Sequence, residues 1–210
     1  MTLSDDRRRI VPRCSLIAVI ASALLGGCAS SEAREPAATD STRAGVVDSI
    51  LPMDEALRRF RADLNEVSAL SGGADSRDEL VRRFVRALES RDTAAIRALV
   101  LDRAEYAWLY YPTSTFAHEP FYQMPQLNWL LTVEDSRKGI GRAMTRYGGT
   151  DLRFAGYACP DTAQADGGMR FWHRCTVRFT DGGVEQTMRL FGSIAEYRST
   201  YKFYSYANDL

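Results

Sequence analysis

Two histidines, four cysteines and a cluster of aromatics are the residues here whose side chains could do chemistry. From Met169 to Phe179 the odd positions read Met, Phe, His, Cys, Val, Phe, and the even positions include Arg170, Arg174 and Arg178. This alternation has period two and predicts a strand with His173 beside Phe171, Cys175 and Val177 on an inward face. Tyr157 falls on the same face, two residues before Cys159. An inward imidazole beside a phenol could transfer protons near neutral pH, so His173 and Tyr157 are the catalytic candidates. A core histidine satisfied by a backbone carbonyl or a tyrosine hydroxyl explains the same position. His118 lies in a proline-bounded loop and is expected to be exposed. Trp108, Tyr110, Tyr157, Phe171 and His173 are the candidates for lining a ligand pocket; sheet packing is their other role.

A hairpin centred on Gly167 sets Cys159 opposite Cys175. A disulfide there closes a loop of about 17 residues, worth roughly 3 kcal/mol in the chain-entropy model. Two buried free thiols are the alternative. There is no Cys-x-x-Cys, so a thioredoxin-type redox role is not expected.

Several function classes are disfavoured. Lys and Arg number 27 and Asp and Glu 27, giving a formal net charge of zero. A nucleic-acid binder relies on surplus positive charge, so none is expected as a partner. Two distant histidines make no metal ligand set. No phosphate-binding loop, Gly-x-Ser-x-Gly or dinucleotide fingerprint occurs, and no cofactor is implied. Only Lys138 and Lys202 are lysines, a bias from which no function follows.

The N-terminal end carries an address. Arg7, Arg8, Arg9 and Arg13 precede an apolar stretch, Ser15 to Leu25, too short to span a bilayer as a helix. The ending Leu25-Gly26-Gly27-Cys28 resembles a bacterial lipobox. That resemblance implies a signal peptide over 1–27, cleavage before Cys28 and acylation of Cys28. The membrane is then a partner through a lipid anchor of several chains. Ala29 and Ser30, with no Asp at the second position, resemble outer-membrane sorting with the domain facing the periplasm. An ordinary cleaved signal with an incidental cysteine is the alternative. Residues 28–47 are rich in Ala, Ser and Thr and read as a flexible tether.

The elements that must position these residues follow. Residues 48–75 form an N-terminal helical segment that starts near Pro52, with Leu57, Phe60, Leu64 and Val67 on one stripe. Ser76 and Glu79 make a capping box ahead of Leu80, Val81, Phe84, Val85 and Leu88. A shorter helix starts at Asp92 or Thr93. Glu105 to Tyr111 (EYAWLYY) reads as an aromatic strand, and Asp102 before it as a solvated turn residue. A helix from about Pro125 to Tyr147 is expected to face Leu127, Leu130, Leu131, Ile140 and Met144 inward, with Gly139 and Gly141 weakening its middle. Asp181-Gly182 predicts a type I′ hairpin that pairs Phe179 with Val184, Cys175 with Met188 and His173 with Leu190. A further turn at Arg198-Ser199 sets Phe203 opposite Ile194. The fold class is α+β: a curved antiparallel meander of about four strands, with helices on one face. Trp172 and Phe191 fall on the other face and, if that face is only partly covered, would mark a dimer or partner surface. No carboxylate other than Asp102 suggests itself near an inner face.

Residues 76–210, and above all ALESRDTAAIRALVLDRAEY before the predicted first strand, resemble the nuclear transport factor 2-like, or SnoaL-like, superfamily. The resemblance implies a cone-shaped domain in which a bent sheet wraps helices around a pocket. Its members include isomerases, dehydratases and noncatalytic binding modules, so fold alone selects no activity. Ketosteroid isomerases of this superfamily hold an aspartate base just before a proline; here Tyr111 precedes Pro112. The leading expectation is therefore a noncatalytic lipoprotein that binds a small apolar ligand or an envelope protein. The alternatives are an acid–base enzyme using His173, and a structural subunit, such as a homodimer, of an envelope assembly.

Overall fold

The computed structural model describes residues 51–210. Cys28, the signal over 1–27 and the tether lie outside the described residues.

Helix α1, Met53–Arg61, starts after Pro52 with Asp54 and Glu55 in its first turn, where the helix dipole favours negative charge. Helix α2, Arg77–Glu89, is capped by the Ser76 hydroxyl, which accepts from the Glu79 N–H. The reciprocal half of that box is replaced, because the Glu79 carboxylate holds Arg83 and Arg86 instead. Helix α3, Thr93–Ala98, is capped by Asp92.

The EYAWLYY stretch is helical, a correction to the expected strand. Helix α4, Arg103–Glu105, continues into a π-helical turn, Tyr106–Tyr110, and a 3₁₀ turn, Tyr111–Thr113. The local cause is a full capping box: Asp102 accepts from the Glu105 N–H, and Glu105 reaches back to the Asp102 N–H. That nucleus outweighs the strand preference of the aromatics, which is a preference for packing more than for backbone.

Helix α5, Pro125–Tyr147, has the expected ends but a different buried face. Pro125, Asn128, Gly139, Ala143 and Tyr147 are buried, whereas Leu127, Leu130 and Leu131 are exposed and Ile140 and Met144 half-buried. Small and hydrogen-bonded residues take the inward face because neighbouring backbone comes too close for leucines. Asn128 accepts from the Tyr106 hydroxyl at 2.6 Å and donates to Gln123 at 2.7 Å. A Cβ on Gly139 would lie 1.8 Å from the Tyr206 carbonyl oxygen.

Among the described residues seven strands form two antiparallel sheets instead of one four-stranded meander. They are β1 (Gly156–Ala158), β2 (Gln164–Asp166), β3 (Met169–His173), β4 (Thr176–Asp181), β5 (Val184–Met188), β6 (Ser193–Tyr197) and β7 (Thr200–Ser205). One sheet runs β1-β4-β5, the other β2-β3-β6-β7. The expected strand Met169–Phe179 breaks at Arg174, whose φ of 57° is left-handed, and the two halves join different sheets. Beside this break Cys159 and Cys175 form a disulfide with Cα atoms 4.2 Å apart.

The β4–β5 register is shifted by two from expectation. Asp181 pairs with Val184, Phe179 with Gln186 and Val177 with Met188. The two turn residues are Gly182 and Gly183, both at positive φ, which a type I′ turn demands and Asp181 would supply less readily. A shift of two leaves every side chain on its face. His173 pairs with Ser193, and the Arg198–Ser199 turn pairs Ile194 with Phe203 as expected.

Helices cover both faces of the four-stranded sheet. On one side Trp172, Ile194 and Phe203 pack with Phe84, Phe191 and Tyr206. On the other, Phe171 and Ala195 pack with Phe60, Tyr106 and Tyr111. Trp172 and Phe191 are therefore core residues and no partner surface. The outer edge of β7 is closed by bridges to Ala74 and Val100.

The two glycines of α5 separate packing from propensity. Gly141 has no atom within 4 Å of where a Cβ would sit. Gly141→Ala is expected to raise the unfolding free energy by up to ~1 kcal/mol. Gly139→Ala should lower it by about 1–3 kcal/mol or more, since the obstructing atom is backbone. Urea titration of both variants checks the pair; a destabilisation as small for Gly139→Ala as for an exposed site would contradict the close approach.

Candidate functional site

A cleft of about 670 Å³ lies between α3 and α5. One wall is Ile96 and Arg97 of α3 with the following Val100 to Arg103; the other is Trp129, Val133, Ser136, Arg137, Ile140 and Met144 of α5. Tyr204 and Tyr206, at and just beyond the end of β7, form its floor. Its volume is within the ~300–1,000 Å³ typical of small-molecule sites, and its lining is mainly apolar.

The floor is held rigidly. The Tyr206 hydroxyl donates to the Ile96 carbonyl at 2.6 Å, and its N–H donates to Ser136 Oγ at 3.0 Å. The Tyr204 hydroxyl meets Thr132 Oγ1 at 3.3 Å. Burial pushes both phenols above their ordinary pKa of 10, so they act as neutral hydroxyls.

Behind this wall is a buried ion pair that sequence reading missed. Lys202 Nζ of β7 donates to Glu105 Oε2 at 2.8 Å, to Oε1 at 3.0 Å and to the Ser71 carbonyl at 2.9 Å. Glu105 Oε1 also accepts from the Ser71 N–H at 2.7 Å, and Oε2 from the Asp102 N–H at 2.9 Å. Both side chains are nearly inaccessible. Glu105 is thus an interior carboxylate where none was expected. The available signal was the Asp102–Glu105 capping spacing, hidden by the strand assignment of EYAWLYY.

Acid–base machinery is sparse at the cleft. Among the described residues Asp102 is the only acidic one lining it, and its Oδ1 is occupied by the Glu105 N–H. Arg103 is held by Asp63 at 2.8 Å and by the Phe60 carbonyl at 2.9 Å, and Arg137 by Glu134 at 3.0 Å.

The sequence candidates do not converge. His173 is exposed at the end of β3, against the expected inward position, because the chain turns at Arg174. Its Nδ1 meets Ser193 Oγ at 2.8 Å, and its ring stacks on Phe171 at 6.0 Å. Tyr157 is half-buried against the other core, and its phenol is pushed up by burial. Tyr110 is buried with its hydroxyl on Asp166 at 2.7 Å, and Phe171 packs between Tyr110 and Tyr204. Trp108 lies under the Arg61 guanidinium, 3.8 Å from the ring centre. None of these five lines the cleft. His118 is exposed, as expected.

A second surface lies at the start of α5 and the loop before it. Phe121, 62% exposed, and Met124, Leu127, Leu130 and Leu131 form an apolar stripe, with Leu130 at 56%. Among the described residues, no group of His, Cys, Asp or Glu could hold a metal ion, and no helix is long and apolar enough to cross a membrane. Comparison with known proteins finds no family model, no curated protein and no solved structure that matches the chain.

His173 offers a pH test of this geometry. Partial burial, then the Arg174 cation, lowers its pKa from the ordinary 6.5. The folded state binds the proton less tightly than the unfolded chain, so the stability His173 contributes above pH 6.5 is lost as pH falls from there through the depressed value. An NMR titration should put the His173 midpoint below 6.5; a midpoint above it would mean the ring has a carboxylate partner, as the enzyme reading requires.

Proposed function

We propose that this chain is a lipid-anchored envelope protein whose domain binds a small apolar ligand in the cleft between α3 and α5. One observation carries the ligand reading: an apolar cleft of about 670 Å³, floored by two hydrogen-bonded tyrosines and lacking a free acid–base pair. Apolar lining gives affinity, while the few hydroxyls at its base give orientation. The hydrogen-bonded floor helps, because side chains already held in place spend less interaction energy on ordering when a ligand binds. The cone-fold resemblance belongs to this proposal, with the two sheets as halves of one meander bent at Arg174. The anchor rests on the residues Leu25-Gly26-Gly27-Cys28. The domain then works beside the membrane from which an apolar ligand would come.

A second reading follows from the stripe of Phe121, Leu127, Leu130 and Leu131. Exposed apolar residues clustered on one helix and the loop before it favour contact with another protein of the envelope, including a second copy. The acid–base enzyme reading has less support, since His173 and Tyr157 lie against different cores.

Two measurements test the main reading. Purified full chain should bind 1-aminoanthracene, a neutral apolar fluorophore, with a blue-shifted emission. Ile140→Trp fills the cleft and should weaken that binding by about tenfold or more with unchanged thermal unfolding; unweakened binding would place the ligand elsewhere. For the anchor, Cys28→Ser should release the protein from membranes into the soluble fraction, and continued membrane retention would remove lipidation from the account.

A further inference from the structure

We infer that the cleft is built for an anionic amphiphile: a single apolar chain ending in a carboxylate or phosphate that pairs with Arg97 at the rim. The inference rests on the ligand-binding reading of the cleft and adds the chemistry of the ligand's polar end. Three arginines are among the lining residues, Arg97, Arg103 and Arg137. Two are committed. Arg103 bonds Asp63 and the Phe60 carbonyl, and Arg137 forks onto Glu134 through Nε and Nη2 at 3.3 and 3.0 Å. Arg97 makes no hydrogen bond or ion pair to any described residue, although it is exposed and lines the cleft.

Charge complementarity decides the head group. Among the described residues Asp102 is the one acidic residue of the lining; its Oδ1 accepts from the Glu105 N–H in the cap of α4, and it forms no ion pair with Arg97. A guanidinium offers paired N–H donors that match the two oxygens of a carboxylate or phosphate. At the edge of an apolar cavity that pairing is less screened than on an open surface. Inside, Ile140, Met144 and the ring of Tyr204 offer apolar contact to a chain. A cationic or zwitterionic ligand would set its positive charge against Arg97. A neutral ligand would leave the free guanidinium unused.

The test is displacement of 1-aminoanthracene from purified full chain by dodecanoate, methyl dodecanoate and dodecyl phosphate. Dodecanoate or dodecyl phosphate should displace the fluorophore at about tenfold lower concentration than the ester. Arg97→Ala should abolish that difference while leaving the ester's own affinity unchanged. Preference for dodecanoate identifies a free fatty acid as the source, and preference for dodecyl phosphate a lipid head group. Equal displacement by acid and ester in the unmodified protein overturns the anionic head group and leaves the apolar cleft standing. A difference that survives Arg97→Ala overturns the assignment to Arg97. No displacement by any of the three overturns the ligand reading itself.

Discussion

The ion pair between Glu105 and Lys202 holds together the parts that make the cleft. It ties the last residue of α4 to β7 and, through Ser71, to the loop before α2. Charges taken out of water cost several kcal/mol each unless attraction and hydrogen bonds repay it. Here every ammonium and carboxylate contact is short and multiply satisfied. Removing either partner would strand the other, a change that typically costs about 3–5 kcal/mol. The consequence reaches function, because Asp102 and Arg103 on one side of the pair and Tyr204 on the other line the cleft. The pair thereby fixes the spacing between wall and floor.

The remaining architecture builds outward from that junction. The four-stranded sheet is covered on both faces, so Phe171 and Trp172, adjacent in sequence, enter different cores. Helix α5 closes the structure by presenting small residues to the C-terminal segment, with Asn208 Nδ2 donating to the Gly139 carbonyl at 2.9 Å. That close seat leaves its large apolar residues for other uses. Ile140 and Met144 turn to the cleft, and Leu127, Leu130 and Leu131 turn to solvent. The disulfide pins β1 to β4 at the point where the chain passes between sheets.

Local signals in the sequence were read correctly where local physics decides them. The serine and aspartate caps, the proline start of α5, the Arg198–Ser199 hairpin and the Cys159–Cys175 pairing all depend on residues within one turn or one ladder. The cleft was not legible, because its walls come from segments some 30 to 110 residues apart that meet only in the folded chain. Period two placed His173 inward by assuming an unbroken strand, and a single left-handed arginine breaks it. Apolar spacing placed three leucines inward, because periodicity cannot show that a glycine and an asparagine own the buried face. Nothing around Lys202 in the sequence signals that β7 carries it into the interior.

The central claim is that the cleft holds an apolar ligand, and native mass spectrometry of protein purified gently from its source membranes tests it most directly. The account predicts a single added mass that is lost on denaturation and absent from protein carrying Ile140→Trp. Protein that flies at its bare, correctly processed mass, with the same result for the filled-cleft variant, would contradict it.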